Sequence, residues 1–210
     1  MNRKIVLKRW FDLFAIAVVS PLLLPVFILL WCLIRCYLGE PVLFFQIRPG
    51  LYGEPFRIIK FRTMTNCCDE DGCLLPDAQR LTRLGRFLRA TSLDELPELI
   101  NVITGKMSIV GPRPLLMQYL DRYSPEQARR HEVKPGITGW AQVNGRNSIS
   151  WEEKFRLDVW YVDNGSFGLD LKIIMMTVLN VIRREGITAA GEATMPEFMP
   201  HAKAPRCKDK

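Results

Sequence analysis

The chain has 210 residues, enough for one compact domain with an anchor but not for two full cores. A net charge of +7 calls for an anionic partner, and nucleic acid, lipid headgroups and phosphorylated small molecules meet that need equally. Six cysteines, at 32, 36, 67, 68, 73 and 207, argue against a disulfide framework, because two lie in an apolar stretch and two are adjacent; with no secretory features, the setting reads as reducing and cytoplasmic.

The first element is an uncharged apolar run from Leu13 to Ile34. As a helix it would be about 33 Å long, enough to cross the hydrocarbon core of a bilayer. A cleaved signal peptide fits worse, since the run is long, lacks a small-residue cleavage site and begins beside Asp12. Ser20-Pro21 and Pro25 fall near its middle, where each proline removes a backbone donor and crowds the preceding turn. Basic residues flank both ends, Arg3, Lys4, Lys8 and Arg9 before and Arg35, Arg48 and Arg57 after, which places both ends on the cytoplasmic side. A simple crossing remains open; a helix that bends at Ser20-Pro21 and returns to the same face satisfies both facts.

Pro41 to Arg48 and Pro55 to Met64 are rich in β-branched and aromatic residues and read as a hairpin around Pro49, Gly50 and Gly53. Asn66 to Pro76 reads as a polar surface loop. Its Cys67, Cys68 and Cys73 lack the spacing of a structural zinc site, and an exposed cysteine-containing turn is the plainer reading. Asp77 to Ala90 reads as a helix carrying Arg80, Arg83, Arg86 and Arg89, either a solvated face or a basic flank for phosphates and headgroups. Ser92 to Thr104 reads as a further helix, and Gly111-Pro112-Arg113-Pro114 as a fixed extended turn. Ser124 to Glu132 is expected to be helical, with Ser124 as cap and Pro125 at the first position. Ile137 to Val143 reads as a strand, and Ser150 to Val162 and Leu169 to Arg184 as helices, the last one apolar around most of its circumference. The domain boundaries expected are an anchor over 1–40, a catalytic domain over 41–186 and a tail over 187–210 whose last part reads as mobile.

Chemistry concentrates in Leu93-Asp94-Glu95-Leu96-Pro97. Ser92 and Glu95 have capping-box spacing, while Pro97 is better tolerated if Asp94 is the cap. Either placement puts Asp94 and Glu95 in a first helical turn, among free N–H groups that favour ionised carboxylates and attract phosphate. There one carboxylate can act as a nucleophile on phosphorus and its neighbour can hold Mg²⁺, although adjacent acids at a helix start are also common as plain caps. Lys60 and Arg62 in an apolar strand, Arg113 between two prolines and Arg146 after Asn144-Gly145 are candidate phosphate ligands. Each taken singly also reads as a surface charge on a wet face.

Several motifs in fixed order resemble those of the bacterial sugar transferases, the monotopic phosphoglycosyl transferases, and among them the PglC-like enzymes. They are Ser20-Pro21, KFRTM at 60–64, SLDELPELINVITGKMSIVGPRP at 92–114, KPGITGWAQVNGR at 134–146 and a tail segment at Gly191 to Thr194. The resemblance runs from about Lys8 to about Phe198 and reads as a minimal form of the family, with no large domain ahead of the anchor. It implies a mostly α, α/β fold: a re-entrant helix-break-helix, amphipathic helices on the membrane surface and a small cytoplasmic globule. It further implies Asp94 as nucleophile, Glu95 as Mg²⁺ ligand, and Lys60, Arg89, Arg113 and, less directly, Arg146 as phosphate-directed. The implied reaction moves a phospho-sugar from a UDP-sugar to polyprenyl (undecaprenyl) phosphate through an aspartyl intermediate with release of UMP. Its setting would be the cytoplasmic face of the bacterial inner membrane, among phospholipid. The tail points to an N-acetylated amino-sugar donor such as UDP-diacetylbacillosamine, with UDP-glucose or UDP-galactose as the alternative.

Two other classes compete. A non-catalytic protein holding anionic lipid explains charge and anchor but gives no reason for a dyad beside fixed arginines. Nucleic-acid binding explains the charge alone, and aromatic-basic interleaving is missing.

Overall fold

The computed structural model describes residues 3–145, 149–183 and 198. Arg146 and, apart from Phe198, the 187–210 tail with its Gly191 to Thr194 motif lie outside the described residues.

Helix α1 runs over Arg3–Leu38. Helical conformation continues through Ser20, Pro21 and Pro25, so the expected break takes the form of two missing donors within a continuous helix rather than a loop. The Ser20 hydroxyl donates to the Ile16 carbonyl at 2.6 Å, not to the Ala17 carbonyl that Pro21 leaves without its partner. The stretch Val6–Leu38 is long and apolar enough to cross a membrane. Its middle faces outward, with Val18, Leu22, Leu24, Ile28 and Leu29 all exposed.

Both legs of α1 are fixed to the same globule. At the first leg, Arg9 donates to the carbonyls of Val102 and Ile103, and Asp12 accepts from Ser108 Oγ at 2.8 Å. Lys8 pairs with Asp170 and donates to Tyr161 Oη at 3.2 Å. Ile16 is buried in one core cluster with Phe56, Ile58, Val102 and Met107. At the second leg, Leu30 and Ile34 are buried with Val42, Phe61 and Leu88. The buried Arg62 donates to the carbonyls of Leu38, Gly39 and Glu40, satisfying groups that a helix end leaves open. Arg62 is therefore a clasp on the anchor, not a phosphate ligand.

Strands β1 (Leu43–Pro49) and β2 (Pro55–Phe61) form the expected antiparallel hairpin, with Leu43 opposite Phe61. The following loop is an exposed turn bridged between Cys68 and Leu74, in which Asp69 Oδ1 accepts from the amides of Asp71 and Cys73. The helix expected over 77–90 is split into α2 (Asp77–Arg80) and α3 (Arg83–Thr91). Between them Leu81 is extended and forms a bridge with Met64, which the arginine spacing does not announce. Likewise 92–104 divides into a 3-10 turn, Leu93–Glu95, and α4 (Glu98–Ile103), because Ser92 is left-handed and Pro97 interrupts the donor series.

Strand β3 (Ser108–Val110) leads into the 111–114 turn, a 3-10 segment Met117–Arg122 and α5 (Pro125–Ala128), whose Ser124–Gln127 capping box is complete. The strand expected over 137–143 is a correction. Only β4 (Gly136–Thr138) is extended, paired in parallel with β3, and the chain then enters α6 (Trp140–Val143). A Cβ on Gly136 would stand 2.1 Å from the amide nitrogen of Gly111, so the pairing tolerates no side chain there. Helices α7 (Trp151–Asn164) and α8 (Phe167–Arg183) complete the fold much as their periodicity indicates. Phe198 is buried among Tyr119, Tyr123, Trp151 and Phe155.

Candidate active site

Helix α3 begins at Thr82, whose hydroxyl accepts from Gly85 N at 2.9 Å, and Gly85 packs directly on the Thr63 backbone. This contact brings Arg89, one turn further on, to Thr63 just past β2, where its Nε donates to Thr63 Oγ1 at 3.1 Å. The helix ends at Ser92 with φ 56°, a conformation costing about 1 kcal/mol for a non-glycine residue. That turn reverses the chain into Leu93–Glu95. The expected caps are absent: Ser92 makes no side-chain cap and Asp94 lies inside the 3-10 turn.

Leu93 and Leu96 sink into the cluster around Ile34 and Leu88, leaving Asp94 and Glu95 between apolar supports and a group of cations. Asp94 is buried, and burial together with the charge of Glu95 raises its pKa to about 6, against the opposing pull of Lys60, Arg113 and Arg89. For Glu95 burial also opposes ionisation, but Arg113 and Lys60 outweigh it and hold the carboxylate well below its usual range. Glu95 Oε1 accepts from Lys60 Nζ at 2.8 Å and from an Arg113 Nη2. Two neighbouring acids thus differ sharply: one is firmly ionised, and the other sits near the edge of neutral pH.

Lys60 stands on β2 in step with Phe56 and Ile58, so alternation turns it inward rather than onto a wet face. Its ammonium also lies 3.0 Å from Glu98 Oε1 on α4, without the geometry of a hydrogen bond. Arg113 is half-buried, and its own carbonyl accepts from Arg130 Nη2 at 2.8 Å. Arg130 is in turn buried against Asp158 at 2.7 Å. Pro112, Pro114 and this ion pair together fix where the Arg113 guanidinium starts.

Of the residues singled out in the sequence, Asp94, Glu95, Lys60, Arg89 and Arg113 come together in one place. Ser20 and Pro21 belong to the anchor, and Arg146 lies outside the described residues. Sequence reasoning missed Glu98, Thr63, Arg130 and Arg48. The Arg48 pKa falls to about 10 through burial and the nearby charge of Arg113, so another cation stands behind the site. Glu98 becomes legible only once Asn101, three positions on, is seen to bond the Ile59 amide and the Arg57 carbonyl of β2, since helical spacing then turns Glu98 to the same strand.

Among the described residues no group of three or more acidic, His or Cys side chains forms a ready metal cage. Mg²⁺ does not require one, since it commonly uses one or two carboxylates with substrate phosphates and water. Both cation contacts fall on Glu95 Oε1, and Arg113 and Lys60 favour its ionised form, so its carboxylate suits a hard cation.

A buried Asp94 and a half-buried Glu95 beside Lys60, Arg89 and Arg113, packed on a long apolar helix, suit an enzyme that binds phosphate groups. The chain belongs to the bacterial sugar transferase family, whose profile matches residues 3–184. It is 56% identical over 193 residues to the uncharacterized sugar transferase EpsL of Bacillus subtilis, covering 92% of this chain and 96% of that one. It is 43% identical over 187 residues to the UDP-glucose:undecaprenyl-phosphate glucose-1-phosphate transferase of Caulobacter vibrioides, covering 83% and 69%. The UDP-galactose-lipid carrier transferase of Erwinia amylovora is 39% identical over 198 residues, covering 86% of this chain but only 41% of that longer protein.

Proposed function

We propose that this phosphoglycosyl transferase moves a sugar phosphate from a UDP-sugar to polyprenyl phosphate, with Asp94 as the covalent carrier. The observation that carries the reading is the pairing of a buried carboxylate of raised pKa with a firmly ionised neighbour tied to Lys60 and Arg113. With a pKa near 6, Asp94 is largely ionised at neutral pH yet poorly solvated, which favours bond formation to phosphorus. An Asp94 carboxylate oxygen attacks the β-phosphorus of the donor, the bond to the bridging oxygen breaks, and UMP leaves. An oxygen of polyprenyl phosphate then attacks the same phosphorus, releasing Asp94 and forming the polyprenyl-diphospho-sugar. Lys60, Arg89 and Arg113 bind and orient the phosphates as charge moves. When bound at Glu95, Mg²⁺ supplies charge that offsets repulsion between the diphosphate and the two acids.

Support for a monotopic anchor comes from the contacts of α1, and its basic flanks favour the cytoplasmic face. Asp12 and Ile16 near its start, and Leu30, Ile34 and Leu38 near its end, all touch one globule, which a straight crossing would forbid. Single cysteines introduced at Lys4 and Glu40 of inner-membrane vesicles should therefore react from the same side; labelling from opposite sides would mean a spanning helix.

The proposed donor is an N-acetylated amino sugar such as UDP-diacetylbacillosamine. A second reading, UDP-glucose or UDP-galactose, is favoured by the names of several relatives. UMP release across these three donors, with undecaprenyl phosphate as acceptor, separates the two. Intact mass after donor addition alone should show one added sugar phosphate that Asp94→Asn abolishes; donor turnover by that variant would remove Asp94 as nucleophile.

A further inference from the structure

Lys60 has two carboxylate neighbours, and only one of them belongs to the dyad. Its ammonium is 2.8 Å from Glu95 Oε1 and 3.0 Å from Glu98 Oε1, with the Glu98 side chain almost wholly buried. Arg113 meets the same Glu95 oxygen from the other side, but its side chain is two-fifths exposed while that of Lys60 is less than one-fifth exposed. When a diphosphate enters, Glu95 cannot keep both cations and also turn toward the ligand. An ammonium stranded in this place would carry a heavy desolvation cost.

Glu98 removes that problem. It stands on α4 one turn before Asn101, which clamps the α4 backbone position to Arg57 and Ile59 of β2, so the carboxylate and Lys60 are held at fixed separation. Glu98 Oε1 is already an ion-pair partner of the ammonium at 3.0 Å, short of hydrogen-bond alignment while Lys60 leans to Glu95, so it is placed to take a closer contact when Glu95 turns away. We propose that Glu98 is a positioning residue that keeps Lys60 beside Asp94 when Glu95 is drawn to the donor, leaving Arg113 as the cation that moves onto the phosphates. The idea rests on the phosphoglycosyl-transfer reading and deepens it by dividing the work of the two cations.

The test uses the full chain in lipid nanodiscs with whichever of UDP-diacetylbacillosamine, UDP-glucose or UDP-galactose the wild type turns over. Glu98→Leu preserves buried volume but offers no acceptor, whereas Glu98→Gln keeps an oxygen toward Lys60. We expect Glu98→Leu to lower kcat for UMP release about tenfold or more with KM within about threefold, and Glu98→Gln to recover most of the loss. In a Lys60→Met background Glu98→Leu should add less than about twofold. An unchanged kcat, a failure of Gln to rescue, or a full additional loss in the Lys60→Met background would overturn the proposal. A readout free of turnover separates this from the wider reading: acetylation of Lys60 by an N-hydroxysuccinimide ester, followed by peptide mass, should rise several-fold in Glu98→Leu and stay near wild type in Glu98→Gln. Equal labelling in all three proteins would dismiss the positioning role, while a wild type that releases no UMP would dismiss the functional reading instead.

Discussion

Asp94→Asn should inactivate the protein and also stabilise it. Burial and the charge of Glu95 raise the Asp94 pKa from an ordinary 3.8 to about 6, even with Lys60, Arg113 and Arg89 nearby. The folded state therefore holds the Asp94 proton more tightly than the unfolded chain does. Below about pH 3.8 both states are protonated and there is no penalty; between 3.8 and 6 the unfolded chain ionises first and stability falls; above 6 the full cost is present. That cost is about 3 kcal/mol, and a neutral asparagine of the same shape should relieve roughly 1.5–3 kcal/mol of it at pH 8. For a chain of this size each kcal/mol moves Tm by roughly 2–4 °C. Unfolding followed by tryptophan fluorescence in nanodiscs should thus place the variant several degrees above wild type at pH 8, with the gap closing toward pH 4. A lower Tm at pH 8, or a gain of equal size at both pH values, would refute the account of a carboxylate held ionised against its surroundings.

Single-turnover UMP release should rise with pH through about 6 as Asp94 ionises, and Glu95→Gln, by removing a neighbouring negative charge, should slow the reaction and move that limb to lower pH. A limb that stays in place would show that another group controls it. Asp158→Ala leaves Arg130 buried without its partner and should cost about 3–5 kcal/mol in chemical denaturation; a loss below about 1 kcal/mol would count against its role in fixing Arg113. Joint replacement of Cys67, Cys68 and Cys73 by serine should change stability by less than about 0.5 kcal/mol and leave turnover intact, because all three are exposed in a surface turn. Loss of activity in that triple variant would give the loop a function that its geometry does not require.

The parts of the fold legible in the sequence are those governed by local rules. The hairpin followed from β-branched and aromatic runs around a Gly-Pro turn, and α5 from Ser124-Pro125 with Gln127. The errors share a cause: long-range contacts that overrule local spacing. Leu81 leaves helical conformation to bridge Met64, and Ile137 to Val143 yields half its length to a helix because only Gly136 and Thr138 find a partner on β3. At the site, adjacency and helix-end logic singled out Asp94 and Glu95, although the capping geometry that prompted the choice is not the one adopted. Arg62 shows the limit of reading charge from sequence, since it serves three carbonyls at the end of α1. It has the same strand parity as Lys60, two positions earlier, and differs in lying just past the end of β2, where it meets the end of α1.

The anchor and the catalytic turn are one packing unit. Leu93 and Leu96, on either side of the two acids, lie in the same cluster as Leu30, Ile34 and Leu38 of α1, with Val42, Phe61 and Leu88 joining them to the hairpin and to α3. Close-packed side chains rather than a tether connect α1 to Asp94, so if α1 sits in a bilayer they set the height of the carboxylate above it. The first leg adds polar ties through Arg9 and Asp12 to α4 and β3, the elements that carry Glu98 and lead into Arg113. The second leg thus packs against the turn that carries Asp94 and Glu95 and against Leu88 beside Arg89, while the first is tied to α4, which carries Glu98, and to β3, which leads to Arg113. On the proposed function, in which a water-soluble diphosphate and a lipid phosphate meet at Asp94 in turn, this packing would make seating the helix in a membrane and aligning the site one event.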